Sequence, residues 1–273
     1  TDVLTKGMRL TAEVQAVCEV YVSAAGDDSN AGTKEAPFKT LAKAVEMIKA
    51  SGNDGVIDIV GSFTIDDTDR RMNNNPYTKM ITIQGADEAA VLNITSQLNL
   101  GGPLTIDNIS VNTATTTGII IQCLRHAFAF GNNVTLSYKD NNLTYAPTII
   151  TGAYAEYPRV DAPARESGIV DGGQFYRVHL GNSATSSSYY TNSSGSDFVV
   201  NNGRIYQLWL GADGWASDRL GYTNYLGDVN YTMNGGTLDQ IILKDAGTAN
   251  KHNGHAIQLI FNHGTKVEDT ATI

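Results

Sequence analysis

The 273-residue sequence predicts an all-β fold: a parallel β-helix, or solenoid, with one helix over its N-terminal end. Three observations carry this expectation. A strand motif repeats in the C-terminal half, short β-rich runs bounded by Gly, Asn or Asp precede it, and only one long amphipathic helix is visible. Such a scarcity of helices speaks against α/β barrels and doubly wound sheets, which need a helix for each crossover. A β-sandwich is the rival architecture. One domain is expected over 1–273, with a lead at 1–19, a strand, turn and capping helix at 20–50, and coils at 51–273. Long loops are expected at 138–168, 182–196 and 211–228.

Composition narrows the function classes. Hydrophobic residues reach 41%, enough for a core, while charged residues make up only 17%. With 19 Lys+Arg against 28 Asp+Glu the net charge is −9, and the pI is near 4.9. That balance argues against a nucleic-acid partner, which calls for a basic footprint. No apolar run approaches the roughly 18 residues of a membrane span. Cys18 and Cys123 define neither a disulfide framework nor a metal spacing and read as two small buried hydrophobes, though a bond between them stays open. The first twenty residues carry Asp2, Glu13 and Glu19 without an apolar run, so they do not read as a signal peptide.

The first element is a short β run, Val20–Val22. Gly26, Asp27, Asp28, Ser29, Asn30 and Gly32 then cluster as turn formers. After Pro37, Thr40 can cap a helix whose apolar stripe is Leu41, Ala44, Val45 and Ile48, with Lys39, Lys43, Glu46 and Lys49 elsewhere. Asp27, Asp28 and Asn30 could also be calcium ligands, but no bidentate acid follows at a loop-like spacing, so a structural turn is expected. From Tyr21 to Val45 the chain follows Y-V-S-x-x-G-x-D-x-x-x-G-T-x-x-x-P-F-x-T-L-x-x-A-V. This pattern resembles the opening segment of right-handed parallel β-helix proteins of the pectate-lyase-like superfamily. The resemblance implies a right-handed solenoid whose first coil the helix caps. It does not select an activity, because lyases, hydrolases, epimerases, phage tailspikes and non-catalytic surface modules share it.

The repeat gives the coils. IVDGGQFYRVHLG from Ile169, VVNNGRIYQLWLG from Val199 and YTMNGGTLDQIILK from Tyr231 align, and NGHAIQLIFN from Asn253 fits as a fourth copy. Anchored on Gly173, Gly203, Gly236 and Gly254, the spacings are 30, 33 and 18 residues, as expected for rungs with loops of different length between them. Alternation predicts two interior columns. One is Val178, Leu208, Ile241 and Leu259; the other is Leu180, Leu210, Leu243 and Phe261. Asp171, Asn202 and Asn234, each with glycine, provide corners tolerant of left-handed backbone. Val56–Val60, Met80–Gln84, Val91–Ile94, Leu104–Val111, Gly118–Cys123 and Val134–Tyr138 read as earlier rungs.

The positions between the interior ones should face outward. They give Arg177, Gln207, Gln240 and Gln258 in one ladder, and His179, Trp209, Ile242 and Ile260 in another. An indole among amides suits a sugar platform, with the pyranose stacked on Trp209 and hydrogen-bonded by Gln; the alternative is that loops bury Trp209 and Ile242. The long loops add Arg165, Glu166, Asp213, Trp215, Asp218, Arg219, Tyr222 and Tyr225, residue types suited to polar, aromatic recognition or to gluing loops onto the wall.

By the resemblance, catalysis would call for an outward carboxylate cluster holding Ca²⁺ with an Arg or Lys base, or for two or three Asp set for acid and base roles. The outward ladder holds no carboxylate, and Asp27–Asp28 and Asp66–Asp67 lie near the N-terminal end. The catalytic candidates are Arg177 with His179, and Arg165, Glu166, Asp218 and Arg219 from the loops. The expected function is a non-catalytic polysaccharide-binding or spacer module of a secreted or cell-surface bacterial protein, contacting a glycan through Trp209, Gln207, Gln240, Trp215, Tyr222, Tyr225, Arg177 and His179. A polysaccharide lyase or glycoside hydrolase, and a phage or surface fibre segment, are the alternatives. No cofactor is expected, Ca²⁺ being the one alternative. Too few residues follow Phe261 for another coil, so the polypeptide is expected to continue beyond Ile273 within a multidomain chain, or to be capped there by a partner.

Overall fold

The computed structural model describes residues 16–113, 118–152, 166–180, 183–184, 193–210, 213–214, 226–243 and 257–267. The chain enters with β1 (Val17–Val22) and helix α1 (Leu41–Ser51). β2 (Asp54–Ile59) and β3 (Ser62–Ile65) form one coil, and β4 (Ile81–Gly85), β5 (Val91–Ile94) and β6 (Leu98–Asn99) the next. β7 (Leu104–Ile106), β8 (Ser110–Asn112) and β9 (Ile120–Gln122) follow, then β10 (Phe128–Phe130), β11 (Thr135–Ser137) and β12 (Thr148–Ile150). Later coils have two strands: β13 (Glu166–Val170) with β14 (Gln174–Leu180), β16 (Ser193–Val200) with β17 (Arg204–Leu210), and β19 (Leu226–Met233) with β20 (Gly236–Leu243). Between them lie the short β15 (Ser183–Ala184) and β18 (Asp213–Gly214), and the described chain ends with β21 (Ile257–Phe261) and β22 (Thr265–Val267).

These strands stack as a nine-stranded sheet (β1-β2-β4-β7-β10-β13-β16-β19-β21), a seven-stranded sheet (β22-β20-β17-β14-β12-β9-β6) and a four-stranded sheet (β11-β8-β5-β3), with β15 and β18 pairing separately. Every pairing between these strands is parallel, for example Val20 with Ile57, Phe128 with Gly168 and Leu208 with Ile241. A β-sandwich is built of antiparallel sheets, so the solenoid stands and its rival falls. Among the described residues no helix is long and apolar enough to cross a membrane.

Alternation sets the interior. In the nine-stranded sheet Val20, Ile57, Ile83, Ile106, Phe130, Val170, Val200 and Met233 stand in register, one per rung, and all are buried. Each such side chain contributes about 1.5–3 kcal/mol by leaving water. Large and small residues interdigitate: a Cβ on Gly168 would lie 2.3 Å from the Phe198 ring on the next rung. Helix α1 closes the N-terminal end. Thr40 accepts from the Lys43 N–H at 3.1 Å, Gly52 ends the helix in the left-handed region, and Leu41, Ala44, Val45 and Ile48 are buried.

Two sequence expectations need correction. The segment Leu104–Val111 is two strands, β7 and β8, belonging to different sheets, with a left-handed Asn108 at the bend between them. The fourth repeat falls in the other sheet. Ile257–Phe261 pairs with β19 in the nine-stranded sheet, so Leu259 lies beside Tyr231 and Phe261 beside Met233. The interior column of the seven-stranded sheet is therefore Val178, Leu208 and Ile241, without Leu259. The corner before β22 holds Gly264, at φ 99°, next to Thr265, which pairs with Gly236, while the predicted anchor Gly254 lies outside the described residues. Gln258 and Ile260 leave the predicted outward ladders and stand beside Asn230 and Thr232.

Candidate binding face

The seven-stranded sheet presents two outward columns. In the first, Ile120, Thr148, Arg177, Gln207 and Gln240 follow one another rung by rung. Their polar ends form a directional chain. An Arg177 Nη2 donates to Gln207 Oε1 at 3.3 Å, and Gln207 Nε2 donates to Gln240 Oε1 at 3.1 Å. Tyr176 and Tyr206 stack beside them, ring centroids 5.6 Å apart, with the Arg177 guanidinium 5.3 Å from the Tyr176 ring.

The second column is Asn99, Gln122, Ile150, His179, Trp209 and Ile242. It points away from the interior, yet Trp209 is 9% exposed and His179 1%. The Arg177 guanidinium lies 3.3 Å from the Trp209 ring centroid, His179 meets that ring edge-on at 5.7 Å, and the indole N–H donates to Gln207 Oε1 at 3.1 Å. The ring is thus packed among its neighbours and offers no open stacking surface; of the two readings for Trp209, burial is what the structure has. Arg177 and His179 are both packed onto the indole.

The predicted calcium candidates are parts of a turn. Asp27 Oδ1 accepts from the Ser29 N–H and hydroxyl, and these bonds hold its carboxyl below the usual range. Asp28 accepts from the N–H groups of Lys39 and Thr40 and from the Thr40 hydroxyl, while Asn30 Nδ2 donates to the Pro37 carbonyl. An oxygen cage for Ca²⁺ needs these carbonyl and carboxylate oxygens turned towards one point; here they are spent on the helix start and its loop. Among the described residues no group of three or more His, Cys, Asp or Glu is placed to hold a metal. Cys18 and Cys123 form no disulfide.

Of the other candidates, Arg165, Trp215, Asp218, Arg219, Tyr222 and Tyr225 lie outside the described residues. Glu166 opens β13 and Asp213 opens β18, and their side chains are likewise outside the description.

Two buried carboxyl groups are not among the sequence-predicted site residues. Asp69, in the turn after β3, is buried against the start of α1, where its Oδ1 accepts from the Ala42 N–H at 3.1 Å. Burial pushes its carboxyl up to about 6, against the pull of that hydrogen bond. Asp58, on the outer face of the nine-stranded sheet, is also buried and accepts from Gln84 Nε2 at 2.9 Å; burial raises it, and the charge of Glu19 adds to the rise. Tyr21 donates to Glu19 Oε1 at 2.7 Å, a bond that pushes the phenol up to about 12. The signal for Asp58 lay in its outward register beside Tyr21; none marked Asp69, which reaches α1 through the coil's path in space. The same outer face carries a groove of about 250 Å³ between Met80, Ala129, Ile169, Val199, Ser167 and Asp197.

Stacked parallel rungs, interior columns and an end-capping helix now decide the architecture. This chain is a parallel β-helix protein. A family model described as "Protein of unknown function (DUF1565)" matches residues 24–64, from the turn after β1 through α1 and β2 into β3. That family is a right-handed β-helix family, consistent with the pectate-lyase-like fold. Comparison with curated proteins and with solved structures gives no match.

Proposed function

We propose that this β-helix is a non-catalytic module that binds polysaccharide along the outer face of its seven-stranded sheet. The observation that supports the reading is the Arg177–Gln207–Gln240 column. Rungs repeat at about 4.8 Å, so an extended glycan crossing the strands meets a hydrogen-bonding group at each step. Gln207 already links its neighbours and Gln240 Nε2 ends the described chain as a donor, which leaves the column partly ordered before a ligand arrives. The net charge of −9 favours a neutral glycan over a polyanion. Trp209 supports the face from beneath by holding Arg177 and Gln207 in place. A secreted or cell-surface bacterial setting, and a place within a longer multidomain chain, belong to the same proposal.

A glycan array followed by titration of the best ligand tests this reading. Gln240→Ala and the Gln207→Ala/Gln240→Ala pair are expected to lose affinity progressively, roughly tenfold for the pair. Unchanged affinity in the pair would remove this face from the proposal. Failure of the wild type to retain any glycan would remove polysaccharide binding altogether.

A further inference from the structure

Two Asn–Gly pairs stand at successive corners of the solenoid, Asn202–Gly203 and Asn234–Gly235, and the fold treats their side chains differently. Asn234 belongs to a ladder that runs along the corner. Asn201 Nδ2 donates to Asp171 Oδ1 (2.5 Å), Asn234 Nδ2 to Asn201 Oδ1 (2.6 Å), and Asn262 Nδ2 to Asn234 Oδ1 (2.6 Å). Both ends of the Asn234 amide are therefore pinned along the stack. Asn202 stands one residue past the ladder. It is exposed, its Nδ2 has no hydrogen-bond partner among the described residues, and its Oδ1 accepts from the N–H of the next residue, Gly203, at 2.8 Å.

We propose that Asn202 is a site of spontaneous deamidation and isoaspartate formation, selected over Asn234 by the fold. The Gly203 nitrogen is the intramolecular nucleophile. Its N–H donates to Oδ1 at 2.8 Å, which keeps the nitrogen next to the side-chain amide that it attacks once the amide turns. Glycine places no side chain in the way, and the exposed amide can turn its carbonyl face towards the nitrogen. The Gly203 N–H gives its proton to solvent base and the nitrogen bonds to Asn202 Cγ. The Cγ–Nδ2 bond breaks and ammonia leaves with a proton from water, closing a succinimide. Water then opens the ring at either carbonyl, giving aspartate or isoaspartate; no oxidant or reductant takes part. At Asn234 the same step must first release the amide from two ladder bonds.

The isoaspartate product also matters to the coil. It adds a methylene to the main chain at a corner where Gly203, at φ 114°, is stacked between neighbours: the Arg204 N–H donates to the Gly173 carbonyl, and the Thr237 N–H to the Gly203 carbonyl, each at 2.9 Å. Either product adds one negative charge at a single exposed point of the corner.

Peptide mapping of the full chain, incubated at mildly alkaline pH, tests the proposal by mass and by isoaspartate content at each pair. Conversion is expected to be roughly tenfold faster at Asn202 than at Asn234 in the folded protein, with the two rates converging in urea, where the ladder is gone. Equal native rates, or faster conversion at Asn234, would overturn the proposal. Loss of the acidic charge variant in Asn202→Ser is the second expected result, and its persistence with the same yield would count equally against Asn202.

Discussion

Asp69 is a carboxyl that the fold prefers to keep neutral. Its pKa of about 6 lies above the ordinary value of 3.8, so between these pH values the folded chain holds a proton that the unfolded chain has released. Its stabilising contribution is therefore complete below about pH 4 and is lost as the pH rises through 6. Asp69→Asn keeps an oxygen for the Ala42 N–H and does not titrate. It is expected to raise the melting temperature relative to wild type at pH 8 and to leave it nearly unchanged at pH 4. A variant that loses stability at pH 8 would show that the helix start favours the charged form. Trp209 is the second residue whose role follows from what covers it. Trp209→Ala removes a buried ring that carries Arg177 and His179, with an expected cost of about 3–5 kcal/mol in denaturant unfolding. A cost below about 1 kcal/mol would mean that the ring carries little packing. Alternation told that Trp209 faces outward. It could not tell that an outward column would be buried, because that depends on what other parts of the fold bring to the face.

At the level of single elements, the parts most legible in the sequence are those whose chemistry is local. The Thr40 cap, the stripe from Leu41 to Ile48 and the turn around Asp27 are settled by neighbours within a few residues, and each is found where the pattern puts it. The terminal rung depends on distant pairing instead. Asn253–Gly254 and Asn262–His263–Gly264 both offer a corner before or after an alternating apolar run, and alternation is the same in either sheet. Only pairing with β19 decides that Ile257–Phe261 precedes its corner. The corners themselves can be tested by contrast. Gly52 and Gly236 both have positive φ, 72° and 89°, but a Cβ at Gly52 meets open space while one at Gly236 would lie 2.2 Å from the Gly203 carbonyl oxygen. Gly52→Ala is expected to cost about 1 kcal/mol, as at an ordinary left-handed helix end. Gly236→Ala adds the clash and is expected to cost at least about 2 kcal/mol more. Similar losses in urea unfolding would mean that the rungs shift apart without penalty.

Across the whole molecule, each rung touches only the rung before it and the rung after it, so stability should be distributed along the axis. The two ends of the described stack are built differently. At the N-terminal end β1 is covered: the Tyr21 N–H donates to the Gly32 carbonyl, the Phe38 N–H donates to the Tyr21 carbonyl, and α1 buries its apolar stripe there. At the other described end β21 has a single strand neighbour, and Ile257, Ile260 and Phe261 are each 38% exposed, although Phe261 continues the column that is fully buried at Val200 and Met233. Interior rungs such as β14 and β17 have partners on both sides. Opening an interior strand breaks two ladders and exposes two layers of core, whereas opening β21 breaks one. Amide hydrogen exchange should therefore be slowest in β14 and β17, faster in β21 and β22, and slow again in β1 because of its cover. The gradient is expected to persist in mild denaturant, with β21 and β22 exchanging before global unfolding. Uniform protection from β1 to β22 would show that the solenoid opens as one cooperative unit, so that the rung-by-rung account of its stability fails.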